Sequence, residues 1–130
     1  MQLKNYLKNS QIFYREDLSY KDKFSFLKRK SEAEKILAKY PNRIPIICEG
    51  YGPDVPPIDR NKYLVPEDLT MAQFLYVIRK RIKITAEKSI YLFVHNHIIP
   101  GNQLLSSVYE KHAEEDGFLY ITYSGENVFG

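Results

Sequence analysis

The segment from Arg43 to Pro66 constrains the fold of this chain more than any other. Arg43-Ile44-Pro45-Ile46-Ile47-Cys48-Glu49 is apolar and β-branched, the composition of a half-buried or buried strand. Residues 50–58 hold two Gly and three Pro, which suits a loop and neither regular element. Lys62-Tyr63-Leu64-Val65 resumes the strand pattern, and Pro66 closes it. The two runs therefore read as a hairpin with a long loop. Pro45 has no N–H to give to a ladder and is expected at an edge or a bulge.

Helical periodicity brackets this hairpin. Phe26, Ala33, Ile36, Leu37 and Tyr40 recur at helical spacing, with Lys28, Arg29, Lys30, Glu32, Glu34 and Lys35 on the other face. Pro41 ends that helix, because the residue before a proline is pushed out of the α region. Thr70 and Gln73 have the spacing of a capping box, and Met71, Phe74, Leu75, Ile78 and Ile82 follow on one face. Ser89 to Val94 is apolar on both faces, as a buried strand is. Leu105 to His112 suits a short helix, and Gly117 to Tyr123 a last strand. A hairpin, a crossover helix and two more strands imply an α+β fold, a four-stranded mixed sheet with the helix across one face. That order is a ubiquitin-like β-grasp, here preceded by helices.

No repeat or Gly/Ser linker divides the 130 residues, so one domain is expected over 25–125. Residues 1–24, where Leu3, Tyr6, Leu7 and Phe13 sit near helical spacing, read as a detachable extension, and 126–130 as a flexible tail. One Cys excludes a disulfide framework and a cysteine-built zinc site, and fits a reducing compartment. No apolar run approaches the roughly 20 residues of a membrane-spanning helix. Charge is graded: net +6 over residues 1–43, +1 over 44–100 and −4 over 101–130. A basic front suits acidic partners or lipid headgroups. Lys4, Lys8 and Arg15 interleaved with Leu3, Leu7, Phe13 and Tyr14 suit an anionic membrane surface or a disordered arm equally.

Few residues invite catalysis. His95 and His97 alternate on a strand and could face one ion, yet a third ligand is hard to name, so His95-Asn96-His97 reads as the polar end of a strand. Cys48, mid-strand among isoleucines, has no base beside it and reads as a small buried residue. No Ser-His-Asp spacing, carboxylate pair or Gly-rich phosphate loop can be argued, so no enzyme and no cofactor is expected. Arg79-Lys80-Arg81 with Lys83 could meet phosphates, but the run fits the favourable C-terminal end of a helix, and no nucleic-acid partner is expected. Lys62 to Pro66 is more informative. A strand at a sheet edge can accept an extended peptide, and alternation sends Tyr63 and Val65 to one side, Lys62 and Leu64 to the other.

Several segments, in order, carry a resemblance. Lys39-Tyr40-Pro41-Asn42-Arg43-Ile44-Pro45-Ile46-Ile47, Asp59 through Pro66, Asp68-Leu69-Thr70, Phe74, Ile78-Arg79-Lys80-Arg81-Ile82 and Glu114-Glu115-Asp116-Gly117-Phe118-Leu119-Tyr120 resemble the GABARAP family of autophagy ubiquitin-like modifiers, from about Phe24 to Gly130. The chain departs from it in some 15 additional leading residues, in Asn61 where a lysine is common, and in a slightly short loop at 51–58.

The resemblance implies a non-enzymatic tag with two N-terminal helices before the β-grasp. It implies that Gly130 is activated by an E1-like enzyme, passed to an E2-like enzyme, joined to phosphatidylethanolamine on autophagosomal membranes, and released by a cysteine protease. Receptors would bind through an aromatic-x-x-aliphatic motif. The aromatic pocket would comprise Glu32, Ile36, Pro45, Ile47, Lys62, Leu64 and Phe118, and the aliphatic pocket Tyr63, Val65, Pro66, Leu69, Phe74 and Val77. Arg43, Arg60, Lys62 and Arg81 would meet acidic residues around the motif. A cytoplasmic monomer that becomes lipid-anchored is the expectation. The alternative is an unconjugated adaptor binding peptides or cytoskeletal partners through its basic helical face.

Overall fold

The computed structural model describes residues 18–125. Two capped helices lead. Ser19 caps α1 (Tyr20–Lys23) by accepting the Asp22 N–H, and Ser25 caps α2 (Phe26–Lys39) by accepting that of Lys28. Strand β1 (Arg43–Tyr51) and β2 (Lys62–Pro66) form the hairpin. Helix α3 (Met71–Ile82) begins with both bonds of the capping box, Gln73 N–H to the Thr70 hydroxyl at 3.2 Å and Thr70 N–H to the Gln73 side chain at 2.9 Å. Then come β3 (Tyr91–Val94), β4 (His97–Ile98), α4 (Leu105–His112) and β5 (Leu119–Ser124).

The sheet runs β2-β1-β5-β3-β4, with β1 and β5 parallel and the other pairs antiparallel. Helix α3 covers one face, where Phe74, Ile78 and Ile82 pack with Ile46, Cys48, Ile121 and Tyr123. On the opposite face Tyr20 and Ala33 pack with Ile47 and Phe118. Each fully buried large apolar side chain of this kind contributes roughly 1.5–3 kcal/mol.

Three expectations need correction. The sheet has five strands, not four, because the chain turns back after Val94 and pairs His97 with it. His95 and Asn96 make that two-residue turn, both at positive φ (50° and 66°), the backbone a type I′ hairpin requires. Pro45 lies on an interior strand rather than at an edge or a bulge. It opposes Leu64 in a pair that exchanges no hydrogen bond, and β5 first pairs one residue later, at Ile46, so its missing N–H costs no ladder bond. Residues 20–24, assigned to a detachable extension, are docked: Tyr20 is buried, and its N–H donates to the Glu49 carboxylate at 2.7 Å. The rest of that extension, residues 1–17, and the tail 126–130 lie outside the described residues.

Candidate functional site

Strand β2 is an edge of the sheet. The Cys48 N–H donates to the Asn61 carbonyl at 2.7 Å, which sets the alternation of the ladder: Ile46–Tyr63 and Ile44–Val65 exchange hydrogen bonds, and Lys62 and Leu64 turn theirs away from β1. The outward Leu64 carbonyl meets only Arg43 Nη1 at 3.4 Å among the described residues. This edge is therefore a template for one more strand.

On the α2 side, Ile36, Ile47 and Phe118 share one apolar cluster, with Ile47 and Phe118 fully buried as its floor. Pro45 and Leu64 face each other across the hairpin. At the rim Lys62 is ion-paired with Glu32, which also accepts the Tyr20 hydroxyl at 3.0 Å. The hydrogen bond from Lys62, reinforced by that from Tyr20, holds the Glu32 carboxyl below its ordinary range against the opposing effect of desolvation. Of the seven residues expected in the aromatic pocket, Ile36, Ile47 and Phe118 share one cluster, Pro45 and Leu64 are paired on the hairpin, and Glu32 and Lys62 are ion-paired.

On the α3 side, Val65 and Phe74 are buried, with Tyr63 and Leu69 packed against the same core. The Tyr63 ring stands edge-on to Phe74, centroids 5.6 Å apart. Val77 and Pro66 are exposed beside them. The Tyr63 hydroxyl is buried, finds no hydrogen-bond partner among the described residues, and is pushed up to about 12 by desolvation. Arg81 pairs with Asp59 at 3.1 Å, and Arg43 and Arg60 are exposed. Gly130 lies outside the described residues.

Sequence reasoning missed the groups that hold this geometry. Asp116, buried ahead of β5, accepts the Phe118 N–H at 2.9 Å, Arg29 Nη1 at 2.7 Å and the Tyr120 hydroxyl at 2.5 Å. It thereby ties the pocket floor to α2. Tyr20 adds an edge-on contact with Phe118, centroids 5.5 Å apart. Nothing local in the sequence marks a pair 87 residues apart in the chain; the Ser-x-x cap before Tyr20 was the one available signal.

The other candidates separate from this site. Cys48 is fully buried and its thiol is pushed up by desolvation, which suppresses the thiolate. His95 is brought against His112 (5.6 Å between centroids) and Glu114 (3.7 Å), yet no group of three or more His, Cys, Asp or Glu among the described residues is arranged to hold a metal. Arg79 donates to the carbonyls of Lys88 and Thr85, fastening the segment after α3.

The family described as "Autophagy protein Atg8 ubiquitin like" matches residues 28–130. Autophagy-related protein 8 of Schizosaccharomyces pombe is 58% identical over 112 residues, 85% of this chain and 93% of that one. Its counterpart in Emericella nidulans is 60% identical over 112 residues, 85% and 95% of the two chains. Among solved structures, Trypanosoma brucei ATG8 superimposes with a TM-score of 0.78 at 41% identity, covering 84% of this chain and 95% of its own. Plasmodium falciparum Atg8, solved in complex with a P. falciparum Atg3 peptide, gives 0.78 at 36% identity, covering 85% and 98%. With the fold, the family match and the relatives in agreement, the chain belongs to the Atg8 family of ubiquitin-like autophagy proteins.

Proposed function

We propose that the chain is a conjugated tag, joined through Gly130 to phosphatidylethanolamine on autophagosomal membranes, and that it recruits receptors bearing an aromatic-x-x-aliphatic motif. It moves between cytoplasm and membrane, and its partners are E1-like and E2-like enzymes, a cysteine protease for release, and the receptors. Among the described residues no helix is long and apolar enough to cross a membrane. In this reading the lipid is the anchor. ATP first converts the terminal carboxylate to an acyl adenylate, releasing pyrophosphate. A thiol displaces AMP to give a thioester, and the lipid amine displaces the thiol to leave an amide. The protein contributes the carboxyl carbon and the shape the enzymes grip, but no catalytic group.

The observation that carries the receptor reading is the edge strand with an apolar cluster on each face. In a strand, side chains three positions apart point to opposite faces. A peptide added along β2 therefore sends its aromatic residue toward Ile36, Ile47 and Phe118, and its aliphatic residue toward Val65, Leu69 and Phe74. The Lys62 and Leu64 backbone groups supply the hydrogen bonds. A peptide partner is also what the P. falciparum Atg8 complex contains.

Titration of an acidic Trp-x-x-Leu peptide tests this directly, since the chain holds no Trp and the peptide indole reports alone. Burying two anchors contributes roughly 2–3 kcal/mol each, most of the free energy of a micromolar complex. Leu64→Arg places a charge in the wall of the aromatic pocket and lowers affinity at least tenfold (about 1.4 kcal/mol), with the thermal midpoint little changed. Unchanged binding by that variant refutes the site.

A further inference from the structure

Five basic residues gather at the end of the domain from which the C-terminal tail departs. Arg79, Lys80 and Arg81 close α3, Lys83 terminates it at φ 56°, and Lys88 precedes β3. Their place beside the tail follows from the fold. Ile82 shares a core with Val55 and Tyr123. Arg79 donates to the Lys88 and Thr85 carbonyls at 2.8 and 2.7 Å, and β3 begins with Tyr91 opposite Ser124, the last residue of β5. Gly125 follows, where a Cβ would stand 3.0 Å from that of Asp54. Asp54, Asp59 and Glu87 oppose the charge at this end, and Arg81 engages Asp59. Lys80, Lys83 and Lys88 are exposed and form no ion pair among the described residues; Lys80 lies over the Tyr76 ring at 4.7 Å.

Gly130 stands five residues beyond Gly125, and five fully extended residues reach at most about 18 Å. Conjugation at Gly130, the reading on which this inference rests, holds this end of the domain within that distance of the headgroups. A rotation of the domain then brings one sheet face or the other within a Debye length, about 8 Å at physiological salt. At the tail end the α3 face carries the lysines; α1 and α2 also hold exposed lysines, on the opposite face, but Lys21 and Arg29 there pair with Glu114 and Asp116 ahead of β5, at the end away from the tail. The opposite face at the same end carries a cavity of about 350 Å³ bounded by Leu18, Glu49, Tyr51 and Thr122, with no Lys or Arg in its lining among the described residues. We propose that Lys80, Lys83 and Lys88 form a headgroup-contacting surface that tilts the lipid-anchored domain onto its α3 face on anionic membranes, turning α1 and α2 away. Nucleic acid is the weaker occupant, because the surface is placed beside the anchor.

The test couples full-length Gly130→Cys protein to maleimide-bearing phosphatidylethanolamine in vesicles. Cys48 is fully buried, so the new thiol alone reacts. A single Trp, introduced as Leu18→Trp or Thr85→Trp, marks either face of the tail end, and nitroxide-headgroup lipids quench whichever approaches. On phosphatidylserine-containing vesicles the expected result is stronger quenching at position 85 than at 18. The difference disappears on phosphatidylcholine alone and in Lys80→Glu/Lys83→Glu/Lys88→Glu protein, each lysine near an anionic surface being worth roughly a fivefold bias. Equal quenching at both positions on anionic vesicles, or a difference that survives charge reversal, overturns the proposal. Tight binding of a polyuridylate strand through the same lysines, with equal quenching in the coupled protein, reassigns the surface to nucleic acid and overturns it too. Chemical coupling bypasses the enzymes, so failure of enzymatic conjugation, measured separately, counts against that reading alone.

Discussion

Arg29→Met isolates the interaction that holds the aromatic pocket's floor. Arg29 and Asp116 form a 2.7 Å ion pair with side chains 12% and 1% exposed. Methionine keeps an unbranched stem in place of the arginine methylenes but removes the charge, the 3.1 Å bond from Nε to the Phe24 carbonyl and the 3.2 Å bond from Nη1 to the Tyr120 oxygen. Breaking a buried pair from one side costs roughly 3–5 kcal/mol. The lower end applies here, because Asp116 keeps the Phe118 N–H and the Tyr120 hydroxyl as donors. About 3 kcal/mol lowers the thermal midpoint of a domain this size by roughly 12 °C. Adding Asp116→Asn removes the stranded charge. The amide oxygen still accepts from Phe118 N–H, and the amide nitrogen can donate to the Tyr120 oxygen, so the double variant recovers about half of the loss. Urea denaturation of the parent, the single variant and the double variant measures both quantities. A single variant within 0.5 kcal/mol of the parent, or a double variant no better than the single, would show that the pair does not anchor this loop.

Other consequences follow from individual side chains. Tyr63→Phe deletes a buried hydroxyl that has no partner among the described residues, so it leaves stability unchanged or raises it by about 1 kcal/mol in urea denaturation; a clear loss would mean that the hydroxyl is bonded. His112 is held below its ordinary 6.5 first by desolvation, then by His95, Lys111 and His97, while Glu114 faces His95. The folded state thus disfavours the charged ring, and its contribution to stability is complete above pH 6.5 and declines as pH falls below that. His112→Gln therefore flattens the stability profile between neutral and mildly acidic pH, and an unchanged slope would assign the titration elsewhere.

What the sequence made legible and what it hid divide along physical lines. The α3 cap was visible because a capping box is local: Thr70 and Gln73 meet within one turn, and both bonds form. The two faces of β2 were visible because alternation depends on nothing beyond the strand, and Tyr63 does reach Phe74 while Lys62 reaches Glu32. Pro45 misled, because whether a missing N–H matters depends on where the neighbouring strand begins to pair. Strand β4 escaped notice since two residues carry no periodicity, and His95-Asn96-His97 reads from sequence as the polar end of a strand. The Arg29–Asp116 tie and the burial of Tyr20 are products of tertiary contact, and no spacing rule reaches them.

The central claim, a tag joined to lipid through its last carboxyl, meets its most direct test in the mass of the C-terminal peptide recovered from cells after autophagy is induced. The account predicts that the peptide ending at Gly130 carries phosphatidylethanolamine in amide linkage with loss of one water. It also predicts that a chain lacking Gly130 folds, binds the Trp-x-x-Leu peptide, stays diffuse and never gains that mass. A lipid-bearing C-terminal peptide from the deletion variant, or a parent chain whose Gly130 carboxyl stays free while puncta form, would contradict it.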